Sequence, residues 1–132
     1  MKNIRKALLI FILIVSYLSI QPHTCLAAQW LHVATGPDGS QLYVDPGSIK
    51  PNKEEHNIKA WIKLLYKDGS YIVAHEIFNY QQKNYSILKY KRYNRLGQKV
   101  NTGKGGATFE PIVHGSIYYI LLNYLLETTG LI

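Results

Sequence analysis

The sequence predicts an α+β fold: an antiparallel β-sheet of about six strands with one C-terminal helix packed on one face. Period-two alternation of apolar and polar residues recurs from Trp30 to Asn101. Short clusters rich in Gly, Asp, Asn and Ser interrupt it at hairpin intervals. The period lengthens to a helical one only after His114.

The elements follow in order. Residues 29–34, "QWLHVA", read as a first strand. The turn cluster "TGPDGS" joins it to a second, "QLYVD", closing a hairpin. "PGSIKPNKEEH" reads as a loop with two prolines and a charged tip. "NIKAWIKLLYK" is the clearest strand: Ile58, Ala60, Ile62, Leu64 and Tyr66 fall on one face, Lys59, Trp61, Lys63, Leu65 and Lys67 on the other. That pattern fits a sheet with one buried and one solvated face, and Trp61 and Leu65 mean the solvated face is not wholly bare. Asp68-Gly69-Ser70 turns the chain into "YIVAHEIFNY". After "QQKN", the strand "YSILKYKRY" carries Ile87 and Leu88 side by side, which predicts apolar groups on both of its faces. "NRLG" is a turn, "QKVN" begins a sixth strand, and "TGKGGAT" reads as a mobile loop. In "HGSIYYILLNYLLETTG" the residues Ile117, Ile120, Leu121, Tyr124 and Leu125 recur at helical spacing, with Ser116 as N-cap and Gly130 as stop. Tyr118, Leu122 and Leu126 lie outside that stripe, which leaves room for a homodimer through the helix or a sheet edge.

The first residues have the order of a secretory signal peptide: Lys2, Arg5 and Lys6, then an apolar run from Ala7 to Ile20, then "CLA" ending at Ala27. The run is shorter than the ~20 apolar residues that span a membrane. The expected organisation is therefore residues 1–27 as a signal and 28–132 as a single domain, exported to the periplasm or the cell surface. The only cysteine, Cys25, lies within the signal, and "PHT" before it is a poor lipoprotein acylation site. A disulfide is thus not expected in the processed chain.

Charge is localised. The formal net charge of +7 falls to +4 when the three basic residues of the signal leave. Lys83, Lys89, Lys91, Arg92, Arg95, Lys99 and Lys104 fall in one stretch that holds no acid, so the rest of the processed chain is mildly acidic.

No enzyme constellation is legible. In "TGKGGAT" the first glycine of a phosphate loop would fall at Gln98, and Gly105 stands where Ser or Thr is required. The histidines His32, His56, His75 and His114 neither pair at metal-ligand spacing nor sit beside cysteine, so neither a metal nor a cofactor is expected. No serine occupies a nucleophile elbow, and nothing singles out a carboxylate pair. A non-enzymatic binding role remains. Interleaved tyrosines and cations stack rings and grip anions, but they also make a good solvated strand. The candidate contact residues are Lys89, Tyr90, Lys91, Arg92, Tyr93 and Arg95. An extracellular protein, glycan or other polyanion is the expected partner. Nucleic acid is not, because export removes it. A second reading places a small-ligand pocket between helix and sheet, lined by Trp61, Tyr66 and Tyr118.

"WLHV", "LYVDPGSIK", "IKAWIKLLY", "YSILKYKRYNRLGQKV" and "FEPIVHGSIYYILLNYLLE" stand in an order that resembles the surface-adhesin protein E-like family, over Trp30 to Glu127. "YVDPGSI" followed by "AWIKLLY" is the most specific part. The resemblance implies an antiparallel sheet of about six strands with a C-terminal helix across one face. It also implies surface display and adhesion to host extracellular-matrix and serum proteins. The family joins helix to sheet by a disulfide; here Tyr80 and a residue near Tyr124 occupy those regions, and His114 stands at the family's proline before the helix.

Overall fold

Two turns with the same sequence, Asp-Gly-Ser, organise the first half of the sheet. In the computed structural model, which describes residues 29–132 apart from Ala107, Asp38 and Asp68 each accept the backbone N–H of the serine two residues on, at 3.0 and 2.9 Å. Both also accept that serine's hydroxyl, and these bonds hold both carboxyl groups below the usual aspartate range. The predicted signal, its cleavage at Ala27 and Cys25 lie outside the described residues.

The strands are β1 (Leu31–Thr35), β2 (Gln41–Val44), β3 (Lys50–Asn52), β4 (Asn57–Leu65), β5 (Tyr71–Asn79), β6 (Asn84–Tyr93), β7 (Lys99–Lys104) and β8 (Glu110–Pro111), followed by helix α1 (Ile117–Thr129). All pairings are antiparallel, and the main path runs β1-β2-β4-β5-β6-β7. β3 pairs with β4 in the lane that β2 occupies, and β8 pairs with β6 in the lane of β7. Six lanes therefore hold eight strands, as the sequence predicts in number. The two short strands are the ones it misses: β3 lies in the predicted loop 46–56, and each of the two contains a proline (Pro51, Pro111). Proline fits there because both strands pair on one side only.

Two further expectations are corrected. β7 runs on through Thr102 and Gly103 to Lys104, so only the end of "TGKGGAT" leaves the sheet. Leu88 does not cover a second buried face. The register passes from His75↔Lys89 to Glu76↔Ile87, which makes Leu88 the extra residue of a β-bulge, exposed to solvent. Gly105 fits against this bulge: its N–H donates to the Leu88 carbonyl at 3.0 Å, and a Cβ there would run into the Ile87 carbonyl.

The core lies between one sheet face and α1. Leu42, Val44, Ile58, Ala60, Ile62 and Phe78 supply the sheet side; Leu121, Leu122 and Leu125 supply the helix side. Each fully buried leucine contributes roughly 1.5–3 kcal/mol. Ser116 caps the helix by accepting the Tyr119 N–H at 3.2 Å, and Gly130 ends it at φ 71°, where a Cβ would be strained. The buried stripe is rotated from the predicted one. Leu122 faces the core, Tyr118 and Leu126 pack against it, and Ile120 is 45% exposed. The helix is apolar nearly all round, so spacing alone does not select the face. One polar contact accompanies the apolar packing on the buried side: the Tyr118 hydroxyl donates to Glu76 on β5 at 3.0 Å.

Glu76 is 1% exposed. Burial pushes its carboxyl up to about 8, against the opposing effect of the Tyr118 hydrogen bond, so it is mostly neutral at pH 7. Burial also raises the Tyr118 hydroxyl well above its ordinary value. Tyr85 stacks on Tyr118 with ring centroids 4.4 Å apart.

Candidate macromolecule-binding face

Alternation sends two sets of side chains to opposite faces of the sheet. Glu76 and Phe78 mark the helix side, together with the residues they pair with. The other face is built from lanes such as Trp61↔His75↔Lys89↔Lys104 and Tyr43↔Lys63↔Val73↔Lys91↔Thr102. Extending that parity adds Lys50 and Lys59, which pair with each other, and Lys99, which pairs with Tyr93. Seven lysines thus share one face. Asp45, just past β2, is the acid nearest it by position, and its carboxylate accepts the Gly47 N–H at 3.1 Å. The remaining acids of the described chain lie in turns, on the helix or on the helix side of the sheet.

Aromatic rings run between the lysines. Trp61 and His75 stack across β4 and β5, centroids 5.0 Å apart at 19°. Lys89 Nζ lies 5.2 Å from the indole centroid. Tyr71 and Tyr93 stack at 4.7 Å, and Lys63 Nζ sits 4.7 Å from the Tyr71 ring and 5.7 Å from that of Tyr43. Such contacts contribute about 0.5–1 kcal/mol each at exposed sites and hold the ammonium groups over the sheet. Partial burial, and then Lys89, Lys59 and Lys50, hold the His75 imidazolium below the usual histidine range.

Two grooves border Trp61. One, of about 410 Å³, is lined by Gly47, Ser48, Lys50, Lys59, Trp61 and His75. The other, of about 420 Å³, is lined by Trp61, Lys89, Tyr90, Lys91 and Thr102 to Lys104.

The predicted contact residues divide accordingly. Lys89, Lys91 and Tyr93 point to the solvated face. Tyr90 and Arg92 have the opposite parity, pairing with Ala74 and Ile72, and Arg92 lies over the Tyr90 ring at 5.6 Å. Tyr90 nevertheless reaches the second groove, because its ring crosses Gly103, where a Cβ would meet it at 2.6 Å. Arg95 lies in the turn before β7, beside Gly69. Sequence reasoning missed Lys50, Lys59, Lys63 and Tyr71. The alternation "KAWIKLL" carries their signal, but they lie outside the contiguous basic stretch 83–104 and join it only through sheet pairing.

The pocket expected between helix and sheet is not formed by the residues named for it. Trp61 is on the far face, Tyr66 is exposed, and Tyr118 is engaged with Glu76 in the core. Leucines of α1 fill the space. Among the described residues no group of three His, Cys, Asp or Glu is placed to hold a metal ion, and no helix is long and apolar enough to cross a membrane.

A sheet with one face closed by a helix and the other left open to solvent, cationic and aromatic, defines a module of the α+β class. Comparison with protein families makes the assignment specific: the family described as surface-adhesin protein E matches residues 30–125, and the chain belongs to it. No curated protein and no solved structure matched the chain. Where the family resemblance implied a disulfide, Tyr80 and Tyr124 are both half-buried against the core; aromatic burial there supplies apolar area without a crosslink.

Proposed function

We propose that this protein is an exported, non-enzymatic adhesin module whose solvated sheet face binds an anionic extracellular macromolecule. One observation carries the reading. Lys50 stands directly opposite Lys59 on paired strands, and Lys89 opposite Lys104. Like charges placed so are destabilising to a sheet. A solvated face kept only for solubility would intersperse both signs, whereas an anion laid over these pairs relieves their repulsion. The membership in a surface-adhesin family supports a partner outside the cell.

Retention on immobilised heparin, read against salt, tests it. Lys89→Glu with Lys91→Glu is expected to abolish salt-dependent retention, because both are exposed on the solvated face. Arg92→Glu, one residue along but on the other face, is expected to lower it far less. Equal losses from both would show that general basicity, not the face, is responsible, and unchanged retention in the double variant would sink the proposal.

A further inference from the structure

Trp61 borders both grooves, and each groove holds one of the two opposed lysine pairs: Lys50 and Lys59 in one, Lys89 and Lys104 in the other. The first pair straddles β3 and β4, the second β6 and β7. Three strand spacings separate them, roughly 14 Å at about 4.8 Å per lane. One small anion does not reach both pairs. A chain that carries anionic groups at intervals does, and it must cross Trp61 and His75 on the way.

We infer that Trp61 and its two flanking lysine pairs form a subsite for a linear acidic polysaccharide, sulfated or uronate-bearing. One anionic group sits in each groove and a sugar ring lies against the indole between them. This rests on the reading of the face as a polyanion site and adds a ligand class and a minimum length. The recessed grooves favour a flexible chain over a lipid bilayer, whose flat surface meets the lysine tips without entering spaces of about 410 and 420 Å³. Membership in a surface-adhesin family favours a glycan over a nucleic acid, although both offer rings and anions.

The experiment is a titration with heparin-derived oligosaccharides of increasing length. It follows tryptophan fluorescence in a Trp30→Phe background, so that Trp61 alone reports. The expected result is a length threshold: affinity rises at least tenfold once the oligosaccharide reaches both pairs, and the Trp61 emission changes on saturation. Lys50→Gln with Lys59→Gln removes one pair without touching the core and is expected to erase the threshold, leaving long and short oligosaccharides alike. A smooth rise of affinity with length, or a silent Trp61, overturns the subsite. If the Lys89→Glu, Lys91→Glu variant still loses heparin in that case, the cationic face stands without it; if that variant binds heparin unchanged, the face itself is not the site. Phosphatidylserine vesicles or single-stranded DNA binding more tightly than heparin at equal salt would overturn the polysaccharide assignment.

Discussion

At the scale of single residues, two titratable groups on β5 are neighbours in sequence and opposite in face. Glu76 is buried beneath the helix, and its carboxyl is raised from an ordinary 4.5 to about 8. A raised acid contributes fully to stability below its unfolded value, and that contribution is lost as pH rises through the folded value. Stability is therefore expected to fall between pH about 4.5 and about 8, by at most about 1.4 kcal/mol per pH unit from this group. Glu76→Gln keeps an oxygen for the Tyr118 hydroxyl and should flatten that slope, so its melting temperature exceeds the parent's at pH 8 but not at pH 5. Parallel pH profiles for variant and parent would refute the assignment. His75 has the opposite sense. Its folded value is depressed by burial and by Lys89, Lys59 and Lys50, so its contribution is present above the unfolded value near 6.5 and lost as pH falls. A bound anion offsets those lysines and favours the imidazolium. Heparin affinity is thus expected to increase as pH falls from 7.5 to 5.5, by at most about tenfold per pH unit for one proton. The increase should be smaller in His75→Gln, as a titration at the two pH values would show.

At the scale of elements, the helix is held by its cap, its leucines and one polar contact. Ser116→Ala is expected to cost about 1 kcal/mol in urea unfolding, the usual value of an N-cap. Leu121→Ala should cost about 2–5 kcal/mol, because the residue is fully buried between helix and sheet. A smaller loss for Leu121 than for exposed Ile120 would mean that the core stripe is misplaced. Much of this level was legible in the sequence: strand alternation in residues 57–67, both Asp-Gly-Ser turns and both helix caps declare themselves within a few residues. What was not legible depends on partners distant in the chain. The face the helix buries depends on sheet partners far back in the chain, among them Glu76, 42 residues before Tyr118. The bulge that exposes Leu88 arises from pairing with β5, and β3 and β8 exist only because β4 and β6 offer open edges. The candidate site shows the same limit. The hairpin lysines stand out as a run, while Lys50, Lys59 and Lys63 join them only when sheet order places five strands side by side.

At the scale of the whole molecule, charge is sorted by face rather than by segment. Seven lysines lie on the solvated side, while the carboxylates of the described residues other than Asp45 occupy turns, the helix and the helix side of the sheet. Charges more than about 8 Å apart in solvent are largely screened at physiological salt, so a partner senses this face as a local field and not the net charge. That distinction makes a last prediction. If the unit of recognition were the basic hairpin β6–β7, substitutions on β4 would matter little, since Lys59 and Lys63 belong to another part of the chain. If the unit is the face, Lys59→Glu with Lys63→Glu should reduce heparin retention about as much as Lys89→Glu with Lys91→Glu. Both variants remove the same charge, so net charge does not separate them from each other, and a matched reversal of exposed Arg92 and Arg95 serves as the control. The salt concentration at elution should drop by similar amounts for the two lysine pairs and by less for the arginines. Retention that follows the hairpin residues alone would return the site to β6–β7 and remove Trp61 from it.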